Sequence, residues 1–387
     1  MNAQELGREP LNQYGSLEPY IRNIRAHLPL DLNCERWRLA HPHAGFAEWR
    51  KLAQDCLRQG LHYNSGPLEM RPEVIDRVET AEFTRERIEF NSSPWFRVPG
   101  YFYIPKKVPL PAPALVVMHE WGGPLLFGAE RICGEAAHPA IIKHRNLYSG
   151  GRPLSDFFAG QGYCVIVIDA YHFGCRAPRG IGGLPESYEP AELGESTFED
   201  CEKKLRELLY LGVRQLNWAG TTWCGVNFGD DSRCVDYLLS RPEVDCRNIG
   251  ATGLSGGGYR TNVLAALDDR IKAAVPVGWT TTGDHQQAYN VDGAIGTFCL
   301  LPGVWDHIDV PDLISIAAPK ACMVVGSTGD IVFPPAGQKE AARQISHAYE
   351  WCGCPGHFRS YAPEKPHCYD CEIQEEALAW FDLHLKG

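Results

Sequence analysis

Apolar residues recur at intervals of three and four over residues 17–30 and 46–61, the spacing that lays one hydrophobic stripe along an α-helix. The chain is therefore expected to begin with helices. The period changes near residue 86. Residues 87–90 and 100–104 read as extended, and Asn91-Ser92-Ser93-Pro94 between them is a turn signal, which predicts an opening antiparallel pair. Short, almost wholly apolar runs follow at 114–118, 163–168, 248–252, 273–277, 321–325 and, more weakly, 358–361. A strand reads this way when helices cover both of its faces. Helical patterns over 231–239, 256–267, 335–348 and 372–385 fill the gaps, so an α/β fold with an open, mostly parallel sheet and right-handed crossovers is predicted.

The interval 169–247 is longer than one crossover requires. It opens with a Gly- and Pro-rich stretch and continues through a helical run at 198–216, so an insertion over about 174–230 is expected near the mouth of a site, as a partial lid. The implied division is a helical N-terminal extension, 1–79, and a main domain, 80–387. No internal repeat or low-complexity tract interrupts it.

Composition narrows the function classes. The 387 residues carry 48 acidic and 37 Lys or Arg side chains, a formal charge of −11, with no basic run. Such a balance repels phosphate backbones and anionic lipid, so neither nucleic acid nor a membrane surface is an expected partner. The longest apolar stretch is about six residues, against the ~18 of a membrane span. The first ten residues lack a basic and then apolar leader pattern, from which a cytoplasmic location is expected. The fifteen cysteines are scattered, and read as reduced core thiols. Cys352, Cys354, Cys368 and Cys371, with His357 and His367 nearby, do not have a standard zinc spacing, so no metal is expected there.

The chemistry concentrates in Gly253-Leu254-Ser255-Gly256-Gly257, a G-x-S-x-G string directly after a predicted strand and directly before a predicted helix. A serine on such a turn is lifted above the sheet, and its neighbours must be small. A serine hydroxyl needs a histidine to take its proton, and the histidine needs a carboxylate to fix its tautomer. Asp330 follows the 321–325 strand and His367 follows the next, so both fall at strand ends; Asp309 and Asp312 are reserve acids that precede the 321–325 strand. An oxyanion would need two backbone N–H groups. Gly256, next after the serine, supplies one, and the loop His119-Glu120-Trp121-Gly122-Gly123, after the 114–118 strand, supplies the other.

Through these residues the chain resembles the α/β-hydrolase superfamily over roughly residues 80–387. His119-Glu120-Trp121-Gly122-Gly123 is similar to the H/Q-E-x-x-G strand-end motif of dienelactone-hydrolase-like proteins, which implies Trp121 as the second oxyanion donor. The stretch from Pro311-Asp312-Leu313 through Ala318-Pro319-Lys320 to Gly329-Asp330 is similar to acetyl-xylan-esterase-like branches. Dienelactone hydrolases proper use a cysteine nucleophile, whereas this chain has Ser255. Two roles stay open for Glu120: orienting a substrate hydroxyl, or a buried acid paired with Arg131 or Arg260.

The expected activity is a serine carboxylic-ester hydrolase needing no metal or organic cofactor. Its substrate would be a small-molecule or carbohydrate ester. Two alternatives are a peptidase or amidase of the same fold and a catalytically silent binding protein. Trp279, His285 and Tyr289, with Thr280 to Thr282, Phe298, Trp305 and His307, are expected with Glu120 and Gly122 around the substrate, and their aromatic faces and polar donors suit an acylated sugar.

Overall fold

The computed structural model describes residues 18–387 except 64–65, 67, 135–137, 290–295 and 297–298. Three helices open it: α1 (Glu18–Ala26), α2 (Cys34–Ala40) and α3 (Phe46–Leu61). Strands β1 (Glu73–Glu79), β2 (Phe83–Asn91), β3 (Arg97–Pro105) and β4 (Ala112–Met118) follow, then α4 (Pro139–Tyr148), α5 (Leu154–Gly160) and β5 (Cys164–Ile168). Next come α6 (Glu195–Trp218), α7 (Trp223–Leu239), β6 (Val244–Leu254), α8 (Gly256–Leu267), β7 (Ile271–Val277) and α9 (Gly283–Gln287). The chain finishes with α10 (Val310–Ser315), β8 (Ala321–Val325), α11 (Pro335–Trp351), β9 (Phe358–Tyr361) and α12 (Cys371–Leu385).

The nine strands form one sheet in the order β1-β2-β3-β5-β4-β6-β7-β8-β9. From β5 to β9 all pairings are parallel, while β1, β2 and β3 run antiparallel to their neighbours. The expected opening pair is thus a three-stranded antiparallel edge. Its outermost member, β1, lies in the stretch expected to be helical. Every residue of β1 is exposed, so no alternation of apolar and polar positions announces it, and Glu73, Asp76, Arg77 and Glu79 give it the charged character of an edge strand.

One face of the sheet is covered by α3, α7, α8, α10 and α11, and the other by α5 and α12. The N-terminal helices are continuous with the first of these cores: Trp49, Ala53 and Leu57 of α3 are fully buried in it. Helix α7 begins ahead of the stretch expected to be helical, 231–239: Thr222 is its N-cap, and its Trp223, Cys224, Asn227 and Asp230 are buried as it crosses from β5 to β6.

The carboxyl ends of the central strands lie side by side. Met118 pairs with Gly253, Leu254 with Val277, Val277 with Val325 and Val325 with Tyr361. The first amide beyond each strand then reaches the last carbonyl of the next: Ser255 to Val277 at 2.8 Å, Gly278 to Val325 at 2.8 Å and Gly326 to Tyr361 at 2.9 Å. Loops carrying Ser255, Asp330 and His367 therefore leave one rim, the place where open parallel sheets gather functional groups.

Among the described residues no helix is long and apolar enough to cross a membrane. All fifteen cysteines are free thiols.

Candidate active site

Ser255 sits between β6 and α8 at φ 54°, ψ −115°, a left-handed backbone that a serine adopts only under constraint. The constraint is the crossing of α8 over β4. A Cβ on Gly257 would lie 2.2 Å from the Met118 carbonyl oxygen, and one on Gly256 would lie 1.9 Å from Cδ1 of Trp121. The glycines of the string are thus required by contact, and the Trp121 indole rests directly on Gly256. Trp121 is held from behind by Trp223, whose ring centroid is 4.1 Å away.

Asp330 follows β8 and is buried. One carboxylate oxygen accepts the amides of Val332 (2.7 Å) and Phe333 (3.1 Å), while the other lies 2.8 Å from Nδ1 of His367. One oxygen of this aspartate thus closes the turn after β8 and the other faces the histidine ring. The two loops are also joined through their backbones, Thr328 to Pro363 at 2.9 Å and Gly329 to Lys365 at 3.0 Å. The His367 ring packs over Gly278, where a Cβ would meet its Cε1 at 2.8 Å. Gly278 follows Val277, the acceptor of the Ser255 amide. Ser255 and His367 line one cavity of about 260 Å³, together with Glu120, Trp121, Gly122, Leu125, Tyr148, Arg206, Leu209, Tyr210, Leu254, Gly296 and Val332.

Glu120, on the wall of this cavity, is buried. Its Oε1 contacts Nε2 of His144 and lies 3.4 Å from Nη1 of Arg131. Burial alone would raise its carboxyl pKa, but the Arg131 guanidinium and His144 outweigh that and hold it well below the ordinary carboxylate range. Of the two arginines expected as partners, Arg131 is the one in contact; Arg260 pairs with Asp231, Nε to Oδ2 at 3.0 Å. Arg131, fully buried, also donates to the Glu120 carbonyl at 2.5 Å and to the Gly122 carbonyl, so it braces the whole 119–123 loop. In the same core His119 has its pKa pushed well down, first by burial and then by Arg131. The Ala170 amide donates to its Nε2 at 3.0 Å.

The profile of the Abhydrolase family matches residues 33–374. The chain belongs to the Abhydrolase family. A relative, the Bacillus subtilis (strain 168) protein named "Putative hydrolase YtaP", is 26% identical over 292 residues, covering 75% of this chain and 84% of its own. Among solved structures, a "putative acetyl xylan esterase" from Bacteroides fragilis NCTC 9343 superposes with a TM-score of 0.66 at 16% identity, covering 90% of this chain and 83% of that one. A glucuronoyl esterase from Solibacter usitatus gives 0.61 at 15% identity over 90% and 93%. At such identities the likeness is one of fold: this member of the Abhydrolase family shares the α/β-hydrolase architecture of those esterases.

Not every expected residue of this Abhydrolase chain reaches the cavity. Trp279 is buried between Tyr259 (ring centroids 4.5 Å) and Phe333 (5.8 Å), and Phe333 in turn lies 6.0 Å from the His367 ring. Trp279 thus backs the site one ring-layer behind the histidine. His285 bonds Thr282 through Nδ1 at 2.7 Å, and neither it nor Tyr289 is on the cavity wall. Phe298 lies outside the described residues. Asp309 and Asp312 cap α10 in a reciprocal box, away from His367. The cysteine group near residue 360 assembles no ligand set among the described residues; the set whose ligand atoms do fall within 4.8 Å of one another is Glu130, Asp169 and Cys175. Both Asp169 oxygens there already accept backbone amides, from Ala129 at 2.7 Å and Cys175 at 2.8 Å.

Sequence reasoning missed Tyr148, Arg206, Leu209 and Tyr210. The last three belong to α6, which forms one wall of the cavity. The signal available was Glu202, Arg206, Leu209 and Val213 at helical spacing, one face of α6.

Proposed function

We propose that the protein is a serine carboxylic-ester hydrolase. Ser255 Oγ attacks the acyl carbon as His367 Nε2 takes its proton, Asp330 keeps Nδ1 protonated and stabilises the imidazolium, and the amides of Trp121 and Gly256 receive the developing oxyanion. Collapse of the tetrahedral species expels the alcohol, protonated by His367. A water activated by the same imidazole then releases the acid and restores Ser255.

The observation that carries this reading is the His367–Asp330 contact of 2.8 Å, made by a histidine that shares its cavity with a serine held at positive φ. The substrate class follows from the walls. A cavity of about 260 Å³ lined by Tyr148, Tyr210 and Arg206 suits a short acyl group on a polar alcohol, and an acylated or uronate-type carbohydrate ester is the substrate we assign. The acetyl xylan and glucuronoyl esterases among the structures of like fold support that class.

A panel of p-nitrophenyl esters from acetate to octanoate, acetylated xylan and a glucuronate methyl ester tests it. Hydrolysis of the short-chain and carbohydrate esters, lost by roughly 10⁴-fold or more in Ser255→Ala, is expected. A preference for octanoate overturns the substrate class, and full activity in Ser255→Ala overturns the mechanism.

A further inference from the structure

The loop that runs from His119 to Leu126 carries Trp121, yet it is an irregular segment with little secondary structure to hold it. Its polar backbone groups are gripped from two sides. From below, Arg131 takes the carbonyls of Glu120 and Gly122. From above, the inserted helix α6 reaches down with two side chains one turn apart. Glu202 Oε2 accepts the Leu125 amide at 2.9 Å and Oε1 accepts the Leu126 amide at 2.7 Å, while Arg206 Nη2 donates to the Gly123 carbonyl at 2.8 Å. The Glu202 side chain is only 13% exposed, so both bonds are shielded from competing water.

We propose that Glu202 is a positioning residue for ester cleavage: by clamping the 125–126 amides to α6 it fixes the loop that holds the Trp121 oxyanion donor over Ser255. This rests on the esterase reading of the preceding subsection and adds a role for the inserted helix. A carboxylate is the group that fits, since its two oxygens accept both amides at once. A glutamine at 202 offers one acceptor and would turn its NH₂ toward the other amide, leaving that N–H unpaired and the loop held at a single point. Arg206, one turn along, supplies the matching grip on Gly123. Oxyanion donors act only within a few tenths of an ångström of their target, so a loosened loop costs turnover, while the cavity walls outside the loop, Tyr148, Leu209 and Tyr210 among them, stay in place.

The experiment uses the full chain and compares wild type with Glu202→Gln, Glu202→Asp, Arg206→Gln and, as a control, Glu207→Gln, an exposed residue of the same helix. Steady-state constants are measured for p-nitrophenyl acetate and for its thionoester, whose sulfur is a poor acceptor in an oxyanion hole. Glu202→Gln is expected to lower kcat for the oxoester about 10- to 100-fold with KM within twofold, and to lower the oxoester-to-thionoester kcat ratio by a similar factor. Glu202→Asp, which keeps the charge but shortens the reach, should recover part of that loss, Arg206→Gln should reproduce it in smaller measure, and Glu207→Gln should match wild type. Wild-type kcat in Glu202→Gln overturns the proposal, as does a loss that is equal for both esters and follows the folded fraction. Should Glu202→Gln fail to fold, Glu202→Asp and Arg206→Gln decide by the same ratio: an unchanged ratio in both overturns the proposal. Full activity in Ser255→Ala would instead fell the esterase reading itself, whereas an inactive Ser255→Ala beside an unaffected Glu202→Gln fells the positioning role alone.

Discussion

Asp330 divides its carboxylate between two tasks, accepting the Val332 and Phe333 amides through Oδ1 and holding Nδ1 of His367 through Oδ2 at 2.8 Å. An asparagine can keep the turn with its carbonyl oxygen but places an NH₂ against Nδ1, which favours the wrong imidazole tautomer. Asp330→Asn is therefore expected to lower kcat by roughly 10³- to 10⁴-fold with little change in Tm, measured by ester hydrolysis and thermal melting. A variant that loses stability and activity together would assign Asp330 to the turn alone.

Gly256 and Trp121 are in contact tight enough to be tested by one methyl group. A Cβ at 256 would fall 1.9 Å from the indole Cδ1, so Gly256→Ala must push Trp121 away or open the elbow. Overpacking of this kind costs about 1–3 kcal/mol, and the expected outcome is a lower Tm together with a fall in kcat larger than any change in KM.

Glu120 is buried, and its contacts to Arg131 and His144 depress its pKa. A carboxyl whose folded-state pKa lies below its unfolded one stabilises the fold at pH above the unfolded value, near 4.5, and that stabilisation is lost as pH falls through it towards the folded pKa. Glu120→Gln leaves the buried Arg131 guanidinium without its carboxylate counter-charge and should destabilise the protein at pH 7 by about 3 kcal/mol. The difference in stability from wild type should narrow as the pH is lowered through 4.5, a trend that denaturant melts at several pH values would reveal. A constant difference would contradict the ionised state assigned to Glu120.

Helix α8, which follows Ser255, ends against the N-terminal helices. Gln54 donates to the Ala266 carbonyl at 2.7 Å, Arg58 to Leu267 at 2.7 Å, and Lys320 to Ala265 and Asp268 at 2.6 and 2.8 Å, so the last carbonyls of α8 and that of its C-cap Asp268 are satisfied by side chains from outside the helix. The double variant Gln54→Ala, Arg58→Ala should lower stability by about 2 kcal/mol while leaving kcat for ester hydrolysis by the folded protein unchanged. A selective loss of kcat would mean that the far end of α8 controls the turn that carries Ser255.

Much of the site was legible because the chemistry lies at strand ends. Buried parallel strands betray themselves as apolar runs, and once 248–252, 321–325 and 358–361 are marked, Ser255, Asp330 and His367 fall at the same rim by topology alone. What lay near those residues in sequence was less informative. Trp279 also follows a strand end, but whether its ring turns toward the cavity or behind Phe333 depends on packing between α8 and the 330–334 loop, which no local pattern records. The same limit hid Arg206 and Tyr210: the period of α6 gives an amphipathic helix without saying what its polar positions face. Strand β1 escaped for a different reason, since an edge strand exposed on both faces has no buried side to impose alternation.

The proposed nucleophile, Ser255, can be read by mass. Wild-type protein treated with a fluorophosphonate is predicted to gain one phosphonyl adduct that peptide mapping places on Ser255, to gain none in Ser255→Ala, and to gain it far more slowly in His367→Ala. An adduct on another residue, or an esterase-active protein that leaves Ser255 unlabelled, would contradict the account.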